Sequence, residues 1–172
     1  MNSLPYIEPN RELSLNLGLL LILLESLAVT KKEKRVLNLD KTQLFFYLLL
    51  NPVIMNRVLI LAGKKEINMR ENEYYTVSSM SSNVDALFDR EKIKDLFKVL
   101  ASKELIEVTY SAKEGFLFEL NERGISQSQS LNDNYFSLVR KYTKQLETLR
   151  SFSIGKLNGF INMVLRTGVA SE

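Results

Sequence analysis

No histidine and no cysteine occur in the 172 residues, and tryptophan is missing too. Without the first two there is no Ser-His-Asp triad, no Cys-His pair and no zinc site of imidazole or thiolate ligands. Magnesium or glycosidase chemistry needs only Asp and Glu and survives that filter, yet the sequence shows no compact carboxylate constellation to support it. A GxxxxGK[ST] phosphate loop, a GxGxxG turn after a strand and a GxSxG elbow are all lacking. The expectation is a protein that is not an enzyme, with no catalytic residues, no metal ligands and no cofactor. The absence of cysteine fits a cytoplasmic setting, where disulfides are not needed.

A large charge excess is lacking as well. Lys and Arg number 23 against 20 Asp and Glu, a formal charge of +3 with a pI near 9.0, which alone names no partner. Nor is there a membrane-length apolar run. The strongest, Leu13 to Val29, is interrupted by Asn16 and Glu25 and falls short of the roughly 20 residues a span needs. The residues before it carry Glu8 and Glu12 against Arg11, so they do not form the basic start of a signal peptide. A buried helix of a soluble core is expected, with no membrane partner. A hydrophobic content of 45% suffices for one ordinary core, or for a small domain with a helical extension.

What is present is a change of period. After Asp89, a helix-capping residue, Ile93, Leu96, Phe97, Leu100 and Ala101 recur at i, i+3, i+4, i+7 and i+8, which predicts an amphipathic helix. Leu105 to Tyr110 is β-branched and aromatic, Ser111 to Gly115 supplies a turn, and Phe116 to Leu120 returns as a second strand. Asn121 to Gly124 then reads as a closing turn. A helix running into a β-hairpin reads as the second half of a winged helix, a binding module.

Upstream, Met1 to Asn10 reads as an irregular arm and Arg11 to Val29 as a helix that meets more than one neighbour. Thr30 to Arg35 reads as an exposed charged connection, with nucleic-acid contact as its alternative. Asn38 or Asp40 caps a helix ended by Pro52, with Leu44, Phe45, Leu48 and Leu49 inward. Val53 to Leu61 follows and stops at Ala62-Gly63-Lys64-Lys65. Two helices meeting at a proline suit the first half of a helix-turn-helix core. Ile67 to Tyr75 reads as a loop, and the serine-rich Thr76 to Phe88 as a short strand or turn and a brief helix.

Downstream, Ile125 to Ser130 reads as a polar linker. Leu131, Tyr135, Leu138, Tyr142, Leu146 and Leu149 predict one helix of about five turns. A break at Ser153 or Gly155 precedes a second apolar stripe of Leu157, Phe160, Ile161, Val164 and Leu165. The expected architecture is therefore mainly α with a small β-hairpin: a winged-helix-like domain over residues 1–124 and a C-terminal helical extension over 131–172.

Two sets of binding residues follow. Arg90, Lys94 and Lys98 lie at i, i+4 and i+8, opposite much of the apolar stripe. With Lys113 at the wing tip they are the candidates for DNA phosphate contact, and Lys92 and Lys103 are neighbours. The same segment holds seven acids (Asp89, Glu91, Asp95, Glu104, Glu107, Glu114, Glu119) against six bases, so a merely solvated or protein-docking surface is the alternative. The second set is the stripe Leu157, Phe160, Ile161, Val164 and Leu165, which could receive a partner's helix. From Asn134 onward six bases face Glu147 and Glu172.

The stretch Leu39-Asp40-Lys41 and, after it, Phe46-Tyr47-Leu48-Leu49-Leu50-Asn51-Pro52 resembles the small middle components of bacterial ABC-three-component systems, the Lamassu-type defence operons. The resemblance implies a winged-helix accessory subunit that links an SMC-like or Rad50-like ATPase to an effector nuclease. It also implies that DNA is touched within the complex and that the chemistry belongs to the partners. A free-standing winged-helix transcription regulator, dimeric through its last helices, is the other reading.

Overall fold

The computed structural model describes residues 13–70, Leu87 and 89–169. The expected arm Met1 to Asn10, and the serine-rich segment Thr76 to Phe88 except Leu87, lie outside the described residues, as does the later part of the loop expected over Ile67 to Tyr75. The described architecture is mostly helical with one two-stranded antiparallel sheet.

Helix α1 (Leu13–Leu27) is apolar on nearly every side because neighbours meet it on nearly every side. Leu20, Ile22, Leu23 and Leu27 are fully buried. Helix α2 (Leu39–Leu50) starts at Asn38, whose side chain accepts the Lys41 N–H at 2.9 Å. Pro52 opens α3 (Pro52–Leu61) as its first residue, where the missing N–H costs nothing. The restriction proline places on Asn51 breaks the two helices apart by 113°. The Asn51 side chain closes the corner by donating to the Tyr47 carbonyl at 2.8 Å. No single described helix is long and apolar enough to cross a membrane, and this bent pair packs most of its apolar side chains into the core, leaving Ile60 and Leu61 exposed.

Helix α3 ends as its sequence predicts. Gly63 adopts φ +68°, its N–H bonds Ile60 and the Lys64 N–H bonds Leu59, the paired bonds of a Schellman stop. Helix α4 (Arg90–Ser102), capped by Asp89, stops in the same way. There the left-handed position falls to Glu104, with φ 55°. Ile93, Leu96, Phe97 and Leu100 are buried as the period predicts, while Ala101 is exposed.

Strands β1 (Ile106–Ser111) and β2 (Gly115–Leu120) pair with Tyr110 opposite Phe116 and Val108 opposite Phe118. Phe118 stacks on Phe97 of α4, with ring centroids 4.0 Å apart, which fixes the hairpin to the helix before it. The other edge of β2 is also occupied. Asn38 bridges Leu117, and the Phe118 N–H donates to the Leu37 carbonyl at 2.9 Å.

The segment read as a closing turn and polar linker is instead helix α5 (Glu122–Gln129), with Asn121 as its cap. Its inward residues are Gly124 and Ser128, so it carries no apolar stripe, and an apolar period is what a helix needs to be visible in the sequence. Gly124 sits so close to the α4–β1 corner that a Cβ there would lie 2.1 Å from the Leu105 carbonyl oxygen. Helix α6 (Asn134–Leu146) passes into a 3-10 turn (Glu147–Leu149), where one continuous helix was expected. Helix α7 (Ile154–Val169) then lies against α3 and α2. Val139, Tyr142, Leu146, Leu157 and Ile161 join the same core as α1 and α2, so packing is continuous across the boundary expected at 125–130.

A polar joint holds α5 and α6 to α1. Glu25, inside the apolar run, accepts from Ser128 at 2.6 Å and from Arg140 at 2.7 Å, and Arg140 also donates to the Ser128 carbonyl at 2.7 Å. Burial pushes the Glu25 carboxyl up, but the Ser128, Arg140 and Gln129 contacts outweigh it and hold the group below its ordinary value.

Gly124→Ala should destabilise the fold by about 1–3 kcal/mol through overpacking, whereas Gly159→Ala, with nothing within 4 Å of the new Cβ, should stabilise it by up to about 1 kcal/mol. Equilibrium urea denaturation of the two variants checks both signs. Because the folded Glu25 pKa lies below 4.5, its stabilising contribution is complete above that pH and drains away as pH falls through the depressed value. Denaturation midpoints measured from about pH 6 to about pH 3 should therefore fall less steeply in Glu25→Gln than in the parent chain; equal slopes would contradict the joint.

Candidate functional site

The outward face of α4 carries the three cations expected to meet DNA, and the fold supplies each with an acid. Arg90 pairs with Asp40 of α2 at 3.0 Å, Lys94 with Glu91, and Lys98 with Asp95 at 2.8 Å. The Asp95 hydrogen bond and charge raise the Lys98 pKa. Such exposed pairs add little stability, being screened by solvent, but they cancel the field that would attract a phosphate backbone. Lys113 is exposed at the hairpin tip, away from this stripe, and pairs with no acid among the described residues. Lys92 is half-buried and Lys103 exposed.

The hairpin beside α4 presents a different chemistry. Side chains alternate along a strand, so Val108, Tyr110, Phe116 and Phe118 share one face. Phe118 anchors that face on the core, and the other three continue it into solvent at 50%, 67% and 61% exposure. Tyr110 and Phe116 meet edge to face at 5.4 Å, so the ramp is ordered as well as apolar. Nothing in the described chain covers it.

The α7 stripe lies elsewhere than a partner surface would. Leu157, Ile161 and Val164 are buried against the chain's own helices. Phe160 is half-buried on Phe152, ring centroids 5.8 Å apart, with the Lys156 ammonium 4.4 Å above the Phe152 ring. Leu165 is half-buried too. In this fold the stripe closes the core, and the outer face of α7 offers Gly159, Asn162, Met163 and Arg166.

The connection Thr30–Arg35 proves to be a closed turn. Val29 bridges Arg35, Thr30 N–H donates to the Lys34 carbonyl at 2.9 Å, and Lys34 N–H donates to the Thr30 hydroxyl at 3.1 Å. Arg150 pins its root by donating to the Val29 carbonyl at 3.0 Å. The run of charge was legible in the sequence; the turn was not, because its bonds depend on Thr30 and on Glu33 adopting φ 58°.

An open cleft of about 610 Å³ lies between the start of α1, the end of α4 and α5. Leu17, Gly18, Leu21 and Leu105 line it, and the exposed Arg123–Glu104 pair stands at its rim. Among the described residues no three carboxylates gather where they could hold a metal ion.

Compared with known protein families, the chain matches the model described as ABC-three component (ABC-3C) system Middle Component 4 over residues 27–159. That span runs from the end of α1 into α7 and includes the turn, α4 and the hairpin. No curated protein and no solved structure matches the chain.

The burial of the α7 stripe carries a direct test. Leu157→Ala should destabilise the isolated chain by about 2–5 kcal/mol, the usual range for emptying a core leucine site, measured by thermal or urea unfolding. A loss under about 0.5 kcal/mol, typical of surface positions, would mean the stripe is free for a partner.

Proposed function

We propose that this chain, which belongs to the ABC-three component (ABC-3C) system Middle Component 4 family, is a non-catalytic adaptor. In this reading it joins an SMC-like or Rad50-like ATPase to an effector nuclease in a Lamassu-type bacterial defence complex. Membership already makes it one component of a multi-protein system, so its partners are proteins. The finer roles rest on what the surface offers.

The observation that carries the adaptor reading is the exposed hairpin face of Val108, Tyr110 and Phe116. Aromatic side chains on a rigid scaffold, open to solvent and rooted in the core through Phe118 and Phe97, are the kind of residue that dominates protein interfaces. A winged-helix reading supports it. Helix α1, residues 37–38 bridged to β2, helix α2, helix α4 and strands β1 and β2 follow the helix–strand–helix–helix–strand–strand order of that module. Helix α3 stands as an insertion between its second and third helices, whereas the sequence pattern places it in the first half of a helix-turn-helix core.

In a free-standing transcription regulator α4 would read bases, and its flank would need uncancelled cations. Here Arg90, Lys94 and Lys98 are each matched by an acid, which favours the adaptor over a regulator that reads bases through α4. The cytoplasm is where such an assembly would meet invading DNA.

Co-expression of the tagged chain with the other two components of its system should recover both. Combining Tyr110→Ser with Phe116→Ser should weaken recovery of one partner by about thirtyfold or more, as expected for paired hot-spot residues, with the unfolding temperature nearly unchanged because both rings are exposed. Undiminished recovery, or no recovery of either component by the parent chain, would overturn the proposal.

A further inference from the structure

We infer that the closed turn Thr30–Arg35 and the hairpin tip together form a docking site for the phosphate backbone of duplex DNA, separate from α4. Some of the charges at this corner are already neutralised within the fold. Arg35 pairs with Glu119 and Arg90 with Asp40. What remains is Lys31, Lys32, Lys34, Lys41 and Lys113 against Glu33 and Glu114, and of the five cations only Lys41 is not exposed.

These groups come from three separate stretches of chain, and the fold holds them together. The Asn38 side-chain amide donates to the Glu114 carbonyl at 3.2 Å, Asn38 bridges Leu117, and the Phe118 N–H bonds Leu37. The hairpin tip is thereby tied beside the base of the turn. Arg150 fixes the other side of the turn through Val29. The lysines therefore stand on a preorganised loop, and docking them does not require ordering a flexible linker.

The corner is also electrostatically unrelieved. The Lys41 ammonium is half-buried and donates to the Arg150 carbonyl at 2.6 Å. Burial lowers its pKa first; Glu114 opposes this, while Arg150 and Lys34 add to it. Cations crowded on a fixed surface with too few acids gain most from a polyanion that meets several at once. On α4, Arg90, Lys94 and Lys98 already have their acids within a turn or across the α2 contact. The spacing along the sequence pointed to α4; the pairing in the fold points to the turn.

Two different partners would give such a corner a purpose, a phosphate backbone or an acidic protein surface. The DNA backbone is favoured because the cations are lysines spread over two loop tips, which suits an extended line of point charges.

The test uses the full chain alone, with a short labelled duplex of arbitrary sequence and a salt titration. The parent chain should bind weakly at low salt. Changing Lys31, Lys32 and Lys34 together to Ala should reduce affinity at least about tenfold. It should also flatten the slope of log K against log salt by about 2–3, since each phosphate left unneutralised takes roughly 0.9 from that slope. Adding Lys113→Ala should flatten it further. Changing Lys94 and Lys98 to Ala should leave both quantities nearly unchanged, and circular dichroism on each variant reports retention of fold.

No binding by the parent chain at low salt, or an equal loss in the α4 variant, would overturn the inference. So would polyglutamate competing as well as unlabelled duplex, which would assign the corner to an acidic protein surface. The adaptor reading is tested by partner recovery and this site by duplex binding, so either can fail without the other.

Discussion

A carboxylate in the last turn of the most apolar helix ties two later helices to it. Glu25 lies on α1 among leucines, only partly exposed, and burial disfavours its charge unless partners offset it. Ser128 and Arg140 satisfy it together, and to do so α5 and α6 must both lie along α1. Arg140 then reaches the Ser128 carbonyl, so the three helices are joined at one point before any apolar side chain is counted. The leucines around the joint supply the hydrophobic gain, and the joint supplies the register.

Once α1 is enclosed, the use of each remaining face is decided by what is left over. Helix α7 closes the core over α2 and α3 with Leu157, Ile161 and Val164, so its apolar stripe is consumed internally. The hairpin is only half consumed. Phe118 and Leu120 turn inward, while Val108, Tyr110 and Phe116 run past the edge of the core. The α4 flank is neutralised by Asp40 of α2 and by its own Glu91 and Asp95, and the turn at 30–35 is not. On the adaptor reading these leftover surfaces are what the middle component of a three-part system would use to meet its partners.

The parts of this fold legible in the sequence are those written by side-chain period and by proline or glycine. The α4 stripe, the two strands and the turn at Gly115, the break at Pro52 and the stop at Gly63 all rest on local rules that the tertiary structure did not override. Helix α5 was hidden because it packs through Gly124 and Ser128, residues that carry no apolar period. The α6 break near Glu147 leaves the apolar spacing intact and so leaves no mark. At the candidate surfaces, sequence spacing placed Arg90, Lys94 and Lys98 on one face correctly but could not show that Asp40, from another helix, would meet Arg90. It likewise could not distinguish a stripe that closes a core from one that receives a partner, because both need the same residues at the same spacing.

Hydrogen exchange on the chain alone and within its three-component assembly tests the central claim most directly, that this protein acts through surfaces its own core leaves open. Added protection should concentrate on 106–120, with the amides of 154–166 changing little because that helix is already packed at home. Protection gained mainly at 154–166, with the hairpin amides exchanging as in the isolated chain, would contradict the account.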